Sequence, residues 1–197
     1  MRELIFATHN DNKVQEIRAM AGPDYHIVSL ADVGWTDEIP EPHDSLQANA
    51  REKSATVSAA IGKACFGEDT GLEVAALDGA PGVYSARYAG PQKRAADNMA
   101  LLLQRMQGQS NRKARFRTVI SFVDQQREWQ FEGICAGRLT EAPRGGEGFG
   151  YDPVFIPEGA DKTFAEMSRE EKRRYSHRAQ AFDRFMAFLA TYGKDNS

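Results

Sequence analysis

The chain has 197 residues, 41% hydrophobic and 27% charged, a composition that fits one globular domain over residues 1–197 with an ordinary buried core. A net charge of -3 argues against a protein that coats nucleic acid, because that task requires a positive field. The sequence contains no apolar run long enough for a signal peptide or a membrane span, so we expect a cytoplasmic protein with neither nucleic acid nor a membrane as its partner.

The N-terminal part of the chain alternates between strand and helix patterns. The apolar run Leu4–Ala7 predicts a strand, and apolar residues at helical spacing from Val14 to Ala21 predict a helix after it. We expect a second strand over Tyr25–Leu30, followed by an irregular acidic loop over Trp35–His43 that contains two prolines.

The remainder of the chain mixes helices with an antiparallel pair of strands. These patterns predict an α/β protein with a mixed sheet rather than a purely parallel one. In chain order we expect a helix from Asp44 or Ser45 to about Ile61, a short strand over Ala64–Phe66, a glycine-rich loop over Gly79–Gly90, a helix around Met99–Met106, a hairpin from Arg115 to Gly133 with its turn at Asp124–Gln126, a glycine-rich loop over Gly145–Gly150, a strand over Val154–Ile156 and a helix from about Ser176.

Two polar residues lie on the apolar face of the helix that begins near Ser45. At about 100° per residue, Asn49 and Lys53 fall on the same side as Leu46 and Ala50. We expect Lys53 to point inward or along the edge of a cleft. The alternative is a lysine whose stem packs while its ammonium reaches water.

An arginine in the first turn of the last helix is a second misfit. Arg178 projects near the middle of the apolar stripe, with His177 beside it and Ser176 as a candidate N-cap. Because a helix N-terminus already carries a partial positive charge, arginine there predicts a phosphate or an electron-rich base edge nearby. An exposed basic turn that continues from Lys172–Arg174 is the alternative.

The first loop, between the first strand and the first helix, collects polar groups. Thr8 and Asn10 supply a hydroxyl and an amide, and Lys13 places a cation in the first helical turn, where it is otherwise unfavourable. The pattern indicates an anion site. A simple capped turn explains the same residues equally well.

Carboxylates follow the short apolar strand at Ala64–Phe66. At least one of Glu68 and Asp69 is expected near the interior, where an unpaired charge is costly. A divalent cation would relieve that cost, and Glu41 in the acidic loop could supply another hard oxygen ligand for Mg²⁺. Structural salt bridges are the alternative.

Three further patterns have competing explanations. The glycine-rich loop over Gly145–Gly150 is not followed by the helix that a dinucleotide-binding loop requires. Phe149 and Tyr151 could nevertheless stack on a base, and Asp152 could accept a hydrogen bond from one. Asp69-Thr70-Gly71 matches an aspartic protease signature, but no second copy exists, so only a symmetric dimer could build that site. The basic run from Arg112 to Arg117 fits a solvated strand face better than a nucleic-acid contact.

Five ordered blocks, spanning roughly Leu4 to Leu189, resemble the inosine triphosphate pyrophosphatases, or dITP/XTP pyrophosphatases. The blocks are Thr8-x-Asn10-x-x-Lys13, Glu68-Asp69-Thr70-Gly71-Leu72, Gly79-Ala80-Pro81-Gly82-Val83-Tyr84-Ser85-Ala86-Arg87-Tyr88, Phe149-Gly150-Tyr151-Asp152-Pro153 and Ser176-His177-Arg178.

The resemblance implies an elongated mixed α/β fold with two lobes and an active site in the cleft between them, and a homodimer. It also implies Mg²⁺-dependent hydrolysis of non-standard purine nucleoside triphosphates, such as ITP, dITP and XTP, between the α and β phosphates. Asp69 matches the catalytic proton acceptor and metal ligand, Glu41 matches a metal-binding glutamate, and Glu68 is a further candidate ligand. Residues matching substrate contacts are Thr8, His9, Asn10, Asp11, Asn12, Lys13, Lys53, Thr70, Phe149, Gly150, Tyr151, Asp152, Lys172, His177 and Arg178.

The chain departs from this family pattern at a few positions. Glu68 stands where aspartate is frequent, His43 where glycine is frequent, and Ala179 where glycine often follows the arginine. The competing hypotheses are an aspartic-type protease, and a protein that binds nucleotide or nucleic acid without turnover.

Overall fold

The N-terminal part of the molecule alternates strand and helix, as the apolar periodicity predicts. A computed structural model describes residues 2–192. Asn10 caps the first helix through its side chain, and Ser45 caps the second in the same way. The elements are β1 (Arg2–Phe6), α1 (Asp11–Met20), β2 (Tyr25–Ser29) and α2 (Leu46–Ile61).

The third strand is longer than the sequence indicates. β3 covers Cys65–Val74, so the segment from Glu68 to Gly71, expected to leave a short strand, is itself part of β3. The strand pairs in parallel with β1 near its start and antiparallel with the two-residue β4 (Pro81–Gly82) near its end. The polar segment from Glu68 to Gly71, which lacks a strand's apolar alternation, lies between these two pairings.

The remaining elements complete one mixed sheet. These elements are α3 (Ala95–Arg105), β5 (Lys113–Asp124), β6 (Arg127–Leu139), β7 (Phe155–Pro157), α4 (Arg169–Arg173) and α5 (His177–Thr191). The strand order is β2-β1-β3-β5-β6-β7, with β4 beside β3; β1 pairs in parallel with β2 and β3, whereas β6 pairs antiparallel with β7. The predicted mixed α/β fold is therefore confirmed.

The chain folds into two compact units. Unit 1 takes residues 2–69, 118–133 and 178–192 of the described chain, and unit 2 takes residues 70–117 and 134–177. Each core contains packed aromatic rings: Phe6 stacks on Phe66 at 4.4 Å between ring centroids in unit 1, and Phe116 meets Phe155 at 4.7 Å in unit 2. The expectations of a single domain and of an intervening cleft stay predictions.

None of the helices within residues 2–192 combines the length and the hydropathy needed to cross a bilayer.

Direct packing of α2 on β3 depends on one glycine. A Cβ atom on Gly67 would lie 2.6 Å from the carbonyl oxygen of Ala50, 2.9 Å from Cβ of Lys53 and 2.9 Å from the amide nitrogen of Ser54. Backbone and Cβ atoms cannot move aside as a side-chain tip can. Gly67 therefore sets the distance between the helix that carries Lys53 and the strand that carries Asp69.

Replacing Gly67 by alanine should push α2 away from β3. We expect Gly67→Ala to lower the free energy of unfolding by about 1–3 kcal/mol, as overpacking does in a close-packed interior. Gly146→Ala is the control, because nothing lies within 4 Å of its added Cβ. Urea unfolding of both variants measures the effect, and equal stability of the two would contradict the role given to Gly67.

Candidate active site

The first loop of unit 1 is held by its own polar groups. The side chain of Asn10 accepts from the amide of Lys13 at 3.2 Å, and the amide of Asn10 donates to Thr8 Oγ1 at 3.1 Å. Nε2 of His9 lies 3.0 Å from the carbonyl oxygen of Asp37 in the acidic loop. The capped turn is thus confirmed, and the next two residues, Asp11 and Asn12, are exposed at the start of α1.

Lys53 lies inside the molecule, as its position on the apolar face predicts. Its ammonium donates to Oδ1 of Asp69 at 3.0 Å and to the carbonyl oxygen of Glu68 at 3.0 Å, and it pairs with the carboxylate of Glu41. Asn49, fully buried on the same helix face, donates to Oδ2 of Asp69 at 3.4 Å. Asp69 is therefore contacted on both carboxylate oxygens from α2.

Arg178 forms the second half of the same cluster. Its Nε and Nη2 atoms donate to the two carboxylate oxygens of Glu68, each at 2.8 Å, and its Nη1 donates to Glu16 at 2.6 Å. Lys13 pairs with Glu68 at 3.3 Å. The sequence predicts a phosphate or a base edge beside Arg178, but the group that lies there is a carboxylate of the chain itself.

Burial and charge shift the pKa values in this cluster. Burial raises the pKa of Asp69, with Lys53 and Lys13 opposing the shift and Glu41 adding to it. Burial alone would lower the pKa of Lys53, but Asp69 and Glu41 outweigh it and raise the pKa. Burial lowers the pKa of Lys13 in spite of Glu68. Asp69 is consequently a stronger proton acceptor than an exposed aspartate.

Glu16 is a member of this cluster that the sequence analysis missed. It lies one turn after Lys13 on α1, and it holds the guanidinium of Arg178, which is only 2% exposed. Its i, i+3 spacing from Lys13 could have predicted that it belongs to this cluster, because residues at that spacing share a helix face.

The carboxylates of the cluster fit a magnesium ion. Asp69 and Glu41 direct hard oxygen atoms at one cationic group, the Lys53 ammonium. Within residues 2–192, no set of three or more histidine, cysteine or acidic side chains is arranged to hold a metal through protein ligands alone. Mg²⁺ does not need such a set, because it keeps several waters and binds one or two carboxylates together with substrate phosphates.

A second polar cluster lies in unit 2. Oδ2 of Asp152 accepts from the amide of Phe149 at 2.8 Å and from Nζ of Lys172 at 2.7 Å. The ammonium of Lys172 lies 5.2 Å from the ring centroid of Phe149, within the range of a cation–π contact. A Cβ atom on Gly148 would lie 2.1 Å from Oδ2 of Asp152, so the glycine-rich loop folds directly over this carboxylate.

Other residues predicted to contact the base or nucleotide are buried or half-buried. Tyr151 is 5% exposed, and its hydroxyl donates to the carbonyl oxygen of Ser85 at 2.8 Å, so its ring is part of the core of unit 2. His177 is 3% exposed and stacks on Phe116 at 4.6 Å between centroids. Gly150 and Thr70 are half-buried.

The aspartic protease signature has a different explanation in this fold. Asp69 contacts an ammonium and an amide, whereas a protease dyad requires a second carboxylate that shares its proton. A Cβ atom on Gly71 would lie 2.6 Å from the carbonyl oxygen of Gly82, so this glycine permits β4 to approach β3.

The basic run at the start of β5 is engaged within unit 2. Arg112 donates to the carbonyl oxygens of Leu139 and Met106, and Arg115 pairs with Glu73 at 2.6 Å. Arg115 is itself exposed, which agrees with the predicted solvated strand face.

Comparison with known proteins identifies relatives along nearly the whole chain. A model of the Ham1 family matches residues 4–188. A dITP/XTP pyrophosphatase of Porphyromonas gingivalis is 48% identical over 190 residues, covering 96% of this chain and 98% of its own, and one of Flavobacterium johnsoniae is 46% identical over 187 residues, covering 95% and 97%. The solved structure of the Staphylococcus aureus Ham1 protein matches with a TM-score of 0.86 at 35% identity, covering 96% of this chain and 98% of that chain.

Removing the charge of Glu68 should leave Arg178 buried with its bidentate partner lost. We expect Glu68→Gln to lower the free energy of unfolding by about 3–5 kcal/mol, the typical cost of breaking a buried ion pair. Glu170→Gln is the matched control, because Glu170 pairs with Arg174 at 3.3 Å on the exposed surface, where such a pair contributes about 0–1 kcal/mol. Similar losses in the two variants, measured by denaturant unfolding, would argue against a structural role for the Glu68–Arg178 pair.

Proposed function

The chain belongs to the Ham1 family, and from this premise we propose that it hydrolyses non-standard purine nucleoside triphosphates, such as ITP, dITP and XTP, to the monophosphate and pyrophosphate. The relatives named dITP/XTP pyrophosphatase support this activity. The observation that carries the proposal is the buried Asp69 carboxylate, contacted by Lys53 and Asn49 on its two oxygens. The chain is thus an enzyme, a hydrolase of acid anhydrides.

We assign the triphosphate end to unit 1. The loop from Thr8 to Asn12 offers backbone and side-chain donors at the start of α1, and Lys13 and Lys53 supply two ammonium groups. As negative charge develops on the departing pyrophosphate, these lysines neutralise it. Thr70, next to Asp69 in β3, is a further phosphate contact in this assignment.

We assign Mg²⁺ to Asp69 and Glu41. The metal, when bound, neutralises phosphate charge and makes the phosphorus more electrophilic. Glu68, whose two oxygens accept from Arg178, serves in this assignment to position Lys13 and Arg178 rather than to bind the metal.

Asp69 orients the attacking water and accepts its proton. The water oxygen bonds to the α-phosphorus, the bond from that phosphorus to the bridging oxygen breaks, and pyrophosphate leaves. The raised pKa of Asp69, caused first by burial, makes its carboxylate a better base near neutral pH. Phosphoryl chemistry depends on positioning and charge stabilisation, so no covalent nucleophile is required.

We assign base selection to unit 2. Phe149 offers a half-exposed ring for stacking, and Lys172 offers a donor that a 6-oxo group accepts, where adenine would present a competing donor. Asp152 offers an acceptor in the same cluster. His177 is a further donor in this assignment, and Arg178 acts through Glu68.

We propose a cytoplasmic homodimer that removes aberrant nucleotides from the precursor pool and does not bind nucleic acid or membranes. A protease, or a binding protein without turnover, is not favoured by the family membership or by the cation that Asp69 contacts.

Asp69→Asn should remove the proton acceptor while preserving the shape of the site. We expect turnover of ITP to fall at least about a hundredfold, with the far-ultraviolet circular dichroism unchanged. Asp97→Asn, which alters an exposed pair with Arg94, is the control. The assay supplies ITP, XTP, GTP or ATP with and without Mg²⁺ and measures pyrophosphate and orthophosphate separately. Near-normal turnover in Asp69→Asn would remove Asp69 from its role, and orthophosphate without pyrophosphate would contradict the cleavage position.

Lys172→Met should weaken the preference for a 6-oxo base. Loss of a charged hydrogen bond, about 1.5–3 kcal/mol, should reduce kcat/KM for ITP about 10–100-fold while leaving the low value for ATP unchanged. Lys162→Met, which removes an exposed ammonium paired with Glu171 at 2.9 Å, serves as the control. An unchanged ratio of ITP to ATP rates in Lys172→Met would show that Lys172 does not read the base.

A further inference from the structure

The ammonium of Lys53 is enclosed by oxygen atoms. Oδ1 of Asp69 and the carbonyl oxygen of Glu68 each lie 3.0 Å from it, and the Glu41 carboxylate forms the third contact. An ammonium has three N–H donors, so the three oxygens match its capacity. Lys53 is 7% exposed, which leaves little room for water to replace any of them.

Two carboxylates meet at this one cation. The side chain of Asp69 is 8% exposed and that of Glu41 is 24% exposed, so their mutual repulsion is poorly screened by water. Lys53 offsets that repulsion and holds the two side chains together. A divalent cation that bound the same two oxygens would lie against the ammonium and be repelled by it.

We propose that Lys53 is a placeholder for the divalent cation, which keeps Asp69 and Glu41 assembled and closed to free metal until a nucleotide draws the ammonium away. This inference rests on the proposed function, in which Lys53 moves to the phosphates of the substrate. The four-carbon stem of lysine allows that movement while α2 stays fixed against β3 at Gly67. The enzyme therefore takes up metal together with nucleotide and not before it.

Lys13 is a natural comparison for Lys53. It is a second largely buried lysine of the same cluster, but it pairs with Glu68, at 3.3 Å. If removal of any positive charge were enough to attract a metal, the two lysines would behave alike. If Lys53 alone occupies the metal position, only its removal should open the site.

Binding of Mn²⁺ to the nucleotide-free protein tests the proposal directly. Free Mn²⁺ is counted by electron paramagnetic resonance for the wild type, Lys53→Met and Lys13→Met. We expect Lys53→Met to bind one Mn²⁺ at least about tenfold more tightly than the wild type, and Lys13→Met to stay within about threefold of it. Equal affinity of wild type and Lys53→Met, or an equal gain in Lys13→Met, would overturn the proposal.

The melting temperature shows whether a variant binds metal differently or simply folds poorly. Without its ammonium, Lys53→Met should melt at a lower temperature than the wild type and recover when Mg²⁺ is added, whereas the wild type should respond little to free Mg²⁺. Adding Asp69→Asn to Lys53→Met should abolish the recovery. A Lys53→Met protein that stays unfolded in saturating Mg²⁺ would contradict the proposal, since the metal should replace the ammonium.

The test is independent of turnover. No nucleotide is present, so a protein that failed to cleave ITP could still show the gain in Mn²⁺ affinity. That result would retain Lys53 as a placeholder and reject the proposed reaction, whereas normal ITP hydrolysis without the gain would do the reverse.

Discussion

Burial of charge around Asp69 is the constraint on which the chemistry of unit 1 depends. Asp69, Glu68 and Arg178 are each less than 10% exposed, and an uncompensated charge in such a place costs several kcal/mol. Each is retained because it meets a partner of opposite charge. The cluster sets four carboxylates, from Glu16, Glu41, Glu68 and Asp69, against three cations, from Lys13, Lys53 and Arg178, so a net negative charge of one is left.

Rigid elements, rather than long loops, hold most of this cluster. α1 carries Lys13, α2 carries Lys53, and β3 carries Asp69, with Gly67 allowing α2 and β3 to touch. Such preorganisation is the main requirement for charge stabilisation in phosphoryl transfer. The thiols add no alternative nucleophile, because burial raises the pKa of Cys135 to about 12 and also raises that of Cys65.

Local periodicity predicted the parts of this site that are set by local structure. The inward position of Lys53 and the Asn10 cap follow from helical spacing and cap chemistry, and both are confirmed. The partner of Arg178 could not be predicted in this way, because Glu68 lies 110 residues earlier and meets it only through the tertiary fold. The length of β3 was missed for a related reason. Its polar residues show no apolar alternation in the sequence, because neighbouring strands and ion pairs stabilise them instead.

Hydrolysis of ITP in water enriched with oxygen-18 identifies the phosphorus that water attacks. In a single turnover with enzyme in excess, attack at the α-phosphorus should put one labelled oxygen in the inosine monophosphate and none in the pyrophosphate. Label in the pyrophosphate would place the attack at the β-phosphorus and contradict the role given to Asp69. Unlabelled products in that first turnover would show transfer of an enzyme oxygen, and therefore a covalent intermediate in place of direct attack by water.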